Sequence, residues 1–342
     1  MHTMDKIFLF TDYRGQFYSS TKYRGAAVDL ERLKNYFAKH NFELTVLPFS
    51  KIDFRTQNYK NAWVLYQSSE DPKLFYRSYV DDIVLGLYIQ GARLIPNLPQ
   101  FRAHHNKHFL EILRDLHTLS DIKNLEAKGY GTYEDYLKDI NNFDGKAFVL
   151  KASNSSKSRG VFLLDNHSKK IKLPKIISRT FSLQNLRYFI ERLKTGNKPL
   201  RISNHRNKFV LQQYVDGLQG DYRVIVYGEK FYVLYRGNRT DDFRASGSMK
   251  FNYDVELPEG LLDYAKKVRE SFDVPYIALD IGVKGNKFFL FEFQFLSFGQ
   301  YTLEKSSFYY HFRDRKWQKQ FEKPNLEREI ATSVSEYIRK HS

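Results

Sequence analysis

The chain has 342 residues, 42% of them hydrophobic and 27% charged, a size for about two to three domains and a composition that excludes wholesale disorder. Lys and Arg number 55 against 39 Asp and Glu, a formal +16 that would attract nucleic acid, anionic membrane or phosphorylated ligands. There is no Cys, which excludes disulfides, thiol nucleophiles, zinc–thiolate sites and iron–sulfur clusters.

The first apolar run, 7–10, is closed at once by Thr11, Asp12 and Arg14, so it reads as a short buried strand and is too short for a signal-peptide core. No run approaches the ~20 apolar residues that span a bilayer, and a cytoplasmic protein without membrane insertion is expected. Leu30, Leu33 and Phe37 recur at helical spacing, whereas Phe42, Leu44 and Val46 alternate as a strand ending at Pro48. Residues 62–67 form another strand. Phe75, Tyr79, Val80, Ile83, Val84 and Leu87 make one helix stripe that stops near Gly91, and 93–95 closes the series. This alternation predicts a small parallel α/β domain over 1–100, whose ligands would sit beyond the carboxyl ends of its strands. Those ends carry Tyr13-Arg14 and the polar run 68–71, for which a solvated loop is an equal reading.

Beyond residue 101 the texture changes. A helix carries Lys107, and Thr132 is placed to cap a short helix with Asp135 three residues on. Residues 147–151 and 160–164 read as strands around a polar loop, 152–159. The stretch 169–208 is basic and poor in strand signal, with a helix expected over 183–193. Hairpins follow: 221–227 and 231–235 flank Gly228-Glu229, and 277–283 and 288–295 flank 284–287. Helices are expected at 260–272 and 326–339. The 25 Tyr and 29 Phe fall mostly at strand or helix periodicity, which favours core filling over base stacking.

Asp280 and Glu292 are equidistant from residue 286, so a three-residue loop 285–287 would set them opposite each other across a hairpin. Gln294 would share the face of Glu292. Two carboxylates and an amide oxygen suit Mg²⁺, especially with phosphates completing its shell; a wet row of polar side chains explains the same spacing. Lys151 ends a strand before a Ser/Asn-rich loop, a place from which an ammonium can hold phosphate oxygens. No Walker-type glycine loop occurs. His104 and His108 would share one helix face, but no third zinc ligand lies near them in sequence.

Taken in order, Asn106-Lys107, Val149-Leu150-Lys151, Gln212-Gln213-Tyr214-Val215, Asp221-Tyr222-Arg223, Arg236, Phe243-Arg244, Leu279-Asp280 and Phe291-Glu292-Phe293-Gln294 resemble the ATP-grasp superfamily. The likeness is to its carboxylate–amine ligase branch, with the ribosomal-protein glutamate ligases, glutathione synthetases and D-alanine–D-alanine ligases, and it covers more than half the chain. It implies an ATP-grasp fold behind a small parallel α/β domain: 1–100, then a central subdomain 101–208, then a C-terminal subdomain 209–342 with the metal site. It also implies ATP and Mg²⁺ as cofactors. Lys107 and Lys151 match the lysines that contact ATP phosphates, with Ser153 in the adjoining loop. Gln213, Tyr214 and Val215 match the segment whose backbone reads adenine, and Asp216 a ribose partner. Arg223, Arg236 and Arg244 fall where the family gathers cations around substrate and γ-phosphate; Asp280, Glu292 and Gln294 match its metal ligands, where the family usually has Asn in place of Gln294. The implied reaction joins a carboxylate, activated as an acylphosphate, to an amine. Its partners would be small-molecule substrates or a peptide or glycan acceptor, and relatives often form homo-oligomers. A small-molecule kinase on the same fold and a non-catalytic basic nucleic-acid-binding protein are the alternatives.

Overall fold

Period-two alternation builds the first sheet. A computed structural model describes residues 5–17, 28–68, 74–143, 145–154, 160–180, 187, 190, 193, 202–240, 242–299 and 301–342. Along β1 (Asp5–Thr11), Ile7 and Leu9 face one layer while Phe8 and Phe10 face the other. The first layer holds Leu33 and Phe37 of α1 (Leu30–Lys39), a helix started by the Asp29 side chain accepting from Arg32 N–H. Then come β2 (Phe42–Pro48), β3 (Trp63–Tyr66), α2 (Phe75–Ile89), β4 (Arg93–Ile95) and α3 (Leu98–Ala103). Val80, Val84 and Leu87 of α2 cover Phe10, Val64 and Tyr66 on the second layer. The four strands are all parallel in the order β2-β1-β3-β4, as the alternation predicts.

The chain divides into two compact units, Met1–His104 with Gln219–Ser342, and His105–Leu218. The second unit contains α4 (Lys107–Leu116), β5 (Ala127–Tyr130), α5 (Tyr133–Asp139), β6 (Phe148–Ala152), β7 (Val161–Leu164), α6 (His167–Ile177) and β8 (Phe209–Gln213). Its antiparallel sheet runs β5-β8-β6-β7 around Tyr130, Tyr136, Phe143, Phe148 and Phe209. Thr132 caps α5 by accepting from Asp135 N–H, as expected. Because β8 pairs with both β5 and β6, this unit runs to Leu218, past the boundary expected at 208. The start of the basic stretch is the helix α6, capped by Asn166. Within the helix expected over 183–193, residues 187, 190 and 193 are described and are helical; the rest of that segment, most of the 152–159 loop and residues 69–71 lie outside the described residues.

The first unit resumes with β9 (Gly220–Tyr227), β10 (Lys230–Gly237), β11 (Phe251–Asn252), α7 (Leu261–Phe272), β12 (Tyr276–Lys284) and β13 (Lys287–Gln294). It ends with α8 (Tyr301–Lys305), β14 (Phe308–Arg313), β15 (Lys316–Phe321) and α9 (Leu326–His341). One sheet orders these strands β13-β12-β9-β10-β14-β15, with β11 on β10. Ile330, Ala331, Val334 and Ile338 of α9 share a single core with Leu33 and Phe37 of α1 and with Ile225 and Ala278 of the antiparallel sheet. No helix among the described residues is long and apolar enough to cross a membrane.

Candidate active site

In the second unit the candidate nucleotide residues gather at the ends of α4, β6 and β8. Asn106 caps α4 by accepting from Phe109 N–H, and the Lys107 N–H donates to Ser153 O at 3.0 Å. The buried Ser153 hydroxyl accepts from His108 N–H at 3.2 Å, so the start of α4 is tied to the end of β6. Lys151 lies two residues before Ser153, half-buried, and its ammonium donates to Gln212 Oε1 at 2.7 Å. Beyond β8, Gln213 N–H donates to Glu126 O at 2.7 Å and Tyr214 N–H to Ala147 O at 3.2 Å. Among the described residues the Val215 N–H has no partner, and Val215 itself is buried; Asp216 is exposed. His104 and His108 do not share a helix, because α3 ends at Ala103 and α4 begins at Lys107. Burial first, and Lys208 second, hold the His108 imidazole below its ordinary pKa.

The first unit sets Arg236, Arg223, Asp280, Glu292 and Gln294 in one polar row across β10, β9, β12 and β13, and leaves Arg244 outside it, between β10 and β11. Cross-strand register makes Arg236 oppose Asp221, Arg223 oppose Asp280, and Asp280 oppose Glu292. Arg236 binds Asp221 through Nε at 2.6 Å and Nη2 at 2.9 Å, and Nη2 also meets Asp280 Oδ2 at 2.8 Å. Arg223 donates through Nη1 to Asp280 Oδ1 at 2.8 Å and through Nη2 to Gln294 Oε1 at 3.0 Å. Gln294 Nε2 then donates to Glu292 Oε1 at 3.1 Å. Arg244 pairs with Asp242, its Nε 2.8 Å from Oδ2.

The expected facing of Asp280 and Glu292 arises by a different route from the expected one. The turn is the two-residue Gly285-Asn286, closed by the Lys284–Lys287 pair, with Gly285 at φ +56°. An unbroken ladder from that pair would set Phe291 against Asp280. The register instead shifts between Asp280 and Ile281, which pairs with Leu290, so Phe291 is the extra residue of a β-bulge and Glu292 meets Asp280. Sequence reading passed over Asp221 as a site residue, although it lies six residues out from the Tyr227–Lys230 closing pair on the arm opposite Arg236.

Electrostatics follow from burial. Burial pushes the Asp280 carboxyl up, but Arg236 and Arg223 together more than offset that and hold it below its ordinary value. Asp221 ends up raised, because burial outweighs Arg236 and the nearby Asp280 adds to it. Arg236, buried between two carboxylates, is held firmly in its charged form despite burial.

No family model matches the chain, and no curated protein does. Solved structures do match. A RimK domain ATP-grasp protein from Sphaerobacter thermophilus is 12% identical, with 98% of this chain and 99% of that chain covered and a TM-score of 0.50. The D-cycloserine synthetase DcsG is 13% identical over 97% and 99%, with a TM-score of 0.53. A Chryseobacterium gregarium RiPP-associated ATP-grasp ligase, in complex with ADP and a leader and core peptide, is 12% identical over 99% and 98%, with a TM-score of 0.52. The chain has the ATP-grasp fold.

An ATP-grasp fold raises the question of Mg²⁺. Asp280, Glu292 and Gln294 offer hard oxygens along one face, which suits that ion. Among the described residues no three His, Cys, Asp or Glu side chains gather as a metal site, so the Gln294 amide would have to serve as a third donor. Its oxygen and Asp280 Oδ1 both accept from Arg223. The donor chemistry therefore fits the ion, with Arg223 competing for two of the oxygens and Arg236 for a third, Asp280 Oδ2.

Proposed function

We propose that this ATP-grasp chain is an ATP- and Mg²⁺-dependent ligase that activates a carboxylate as an acylphosphate and joins it to an amine. A carboxylate oxygen attacks the γ-phosphorus and ADP leaves; the amine nitrogen then attacks the acyl carbon, loses a proton, and phosphate leaves as the amide forms. The observation that carries this reading is the row Asp221–Arg236–Asp280–Arg223–Gln294–Glu292, aligned by register on a sheet of this fold.

In this reading Lys107 and Lys151 neutralise ATP phosphate oxygens beside Ser153. Gln213, Tyr214 and Val215 present backbone to adenine, where the Val215 N–H supplies a donor, and Asp216 takes the ribose. Asp280, Glu292 and Gln294 would hold Mg²⁺, which when bound screens the charge of phosphate oxygens. Arg236 is engaged by Asp221 and Asp280, so its part is to hold the Asp280 carboxylate in place. Arg223 and Arg244 then provide positive charge for the developing oxyanion and the γ-phosphate. No protein nucleophile is required, in keeping with the absence of Cys.

The test is to incubate the protein with ATP, Mg²⁺ and pools of carboxylates and amines, peptides included, because one structural neighbour is in complex with a peptide. ADP and free phosphate should appear in step, and hydroxylamine should trap the acylphosphate as a hydroxamate. Phosphate retained on a product would make the protein a kinase instead. Absence of ATP turnover with every pool would remove the ligase reading.

A further inference from the structure

Lys151 is one end of a buried chain of polar side chains. Gln212, 2% exposed on β8, accepts from the Lys151 ammonium at 2.7 Å through Oε1 and donates through Nε2 to Glu111 Oε1 at 3.0 Å. Glu111, 4% exposed on α4, accepts through Oε2 from Arg114 Nε at 2.7 Å. Arg114 is fully buried and donates from Nη1 to Ile122 O at 2.9 Å. Each link admits only one orientation. A carboxylate only accepts and an ammonium only donates, so the Gln212 amide must turn its nitrogen to Glu111 and its oxygen to Lys151.

A buried ionic network is weak evidence for stability, since apolar residues of similar volume often serve as well or better. This one instead restrains a long, flexible side chain at its charged tip. It also starts from the helix that carries Lys107: Glu111 lies one turn on from Lys107, and the head of α4 is fastened to Ser153 at the end of β6. We propose that Gln212 is the positioning residue for Lys151, transmitting the fixed placement of Glu111 and Arg114 to the ammonium that meets the nucleotide. The inference rests on the reading of Lys151 as a phosphate contact and goes beyond it by naming what aims that lysine.

A double-mutant cycle on the full chain tests this, with ATP affinity measured by calorimetry and folding followed by thermal melting. Lys151→Met should weaken ATP binding about tenfold or more, the loss expected of a charge-assisted contact. Gln212→Met should weaken it several-fold, and the double variant should bind ATP no worse than Lys151→Met alone, because both changes remove one function. Should Gln212→Met fail to fold, Gln212→Asn, one methylene short of spanning both partners, enters the same cycle. If Gln212 variants bind ATP as the parent does while Lys151→Met does not, the positioning role is wrong and the nucleotide reading stands. Additive losses would equally overturn it, since Gln212 would then act apart from Lys151. An unchanged affinity in Lys151→Met would remove the phosphate reading itself, and the inference with it.

Discussion

At the scale of single residues, the polar row on β9, β10, β12 and β13 balances two guanidiniums against three carboxylates. Asp280 takes both cations, so Asp280→Asn leaves the largely buried Arg223 without a carboxylate and Arg236 with Asp221 alone, and should destabilise the fold by up to about 3–5 kcal/mol at neutral pH. The pH dependence has a definite sign. The Asp280 pKa is lowered from 3.8, so its contribution is full above that value and is lost as pH falls through the lower native one. Asp221 opposes it: its native pKa is raised, so the unfolded carboxyl ionises first and stability declines as pH rises from 3.8 through the native value. The melting difference between Asp280→Asn and the parent should therefore shrink on acidification below pH 4; a constant difference would mean that the arginines do not act through the ionised carboxylate. Glu292 contacts the row only through the Gln294 amide among the interactions described, so Glu292→Gln should hardly move the melting temperature while activity falls about a hundredfold. Gln294→Asn shortens the amide that now occupies Arg223, and should strengthen the Mg²⁺ dependence of ATP binding. Weaker Mg²⁺ dependence in that variant would show that Arg223 does not compete. The pairing of Asp280 with Glu292 was anticipated from hairpin spacing, but it holds only because the bulge at Phe291 makes up for a turn one residue shorter than expected. The link between Gln212 and Lys151 was not anticipated, since it lies between strands joined by no tight turn.

At the scale of elements, the legible pieces were those with clean periodicity or turn chemistry: β1 to β4 with α1 and α2, and the β9–β10 hairpin around Gly228-Glu229. The β-bulge at Phe291 was hidden, because a three-residue turn and a two-residue turn with a bulge give Asp280 and Glu292 the same facing. The β14–β15 hairpin escaped notice for a different reason. Its turn residues Asp314 and Arg315 both take positive φ, at 51° and 60°, where Gly or Asn would have announced the turn. α6 carries Pro174 and four lysines, so its helical signal is broken. The β9–β10 ladder has one position with no tolerance. A Cβ on Gly220 would fall 2.2 Å from the Arg236 carbonyl oxygen, a backbone atom that cannot move without the strand that carries the Arg236 side chain. Gly220→Ala should destabilise by about 1–3 kcal/mol and disturb the pairing of Arg236 with Asp221 and Asp280. Thermal melting measures the first effect, and loss of ATP turnover beyond that of equally destabilised variants the second; an unchanged melting temperature would mean that the ladder yields easily.

At the scale of the whole molecule, contacts of long sequence separation decide what the periodic pattern leaves open. Asp29 N–H donates to Glu327 Oε1 at 3.0 Å and His40 Nε2 lies 3.1 Å from Thr332 Oγ1, so α9 closes over α1 within a core shared with the antiparallel sheet. Nothing in the spacing of either segment announces the other, and the first hundred residues consequently read as a separate domain. The formal +16 is also a property of the whole chain, with basic residues spread along it rather than gathered in a tail. Diffuse surface charge acts over about a Debye length, near 8 Å at physiological ionic strength, so salt screens it readily. Duplex DNA, bound only through such a field, should show a steep salt slope and be lost by moderate salt. ATP held in part by Lys151, whose ammonium is seated in a polar network, should bind less tightly as salt rises, but the ratio between the parent and Lys151→Met should persist, because a contact at hydrogen-bond distance is screened far less than a distant charge. The two titrations, run on the same preparation from low to high salt, separate the ligase reading from a basic binding module. Tight DNA binding that survives high salt, in a protein whose ATP affinity vanishes there, would favour the module.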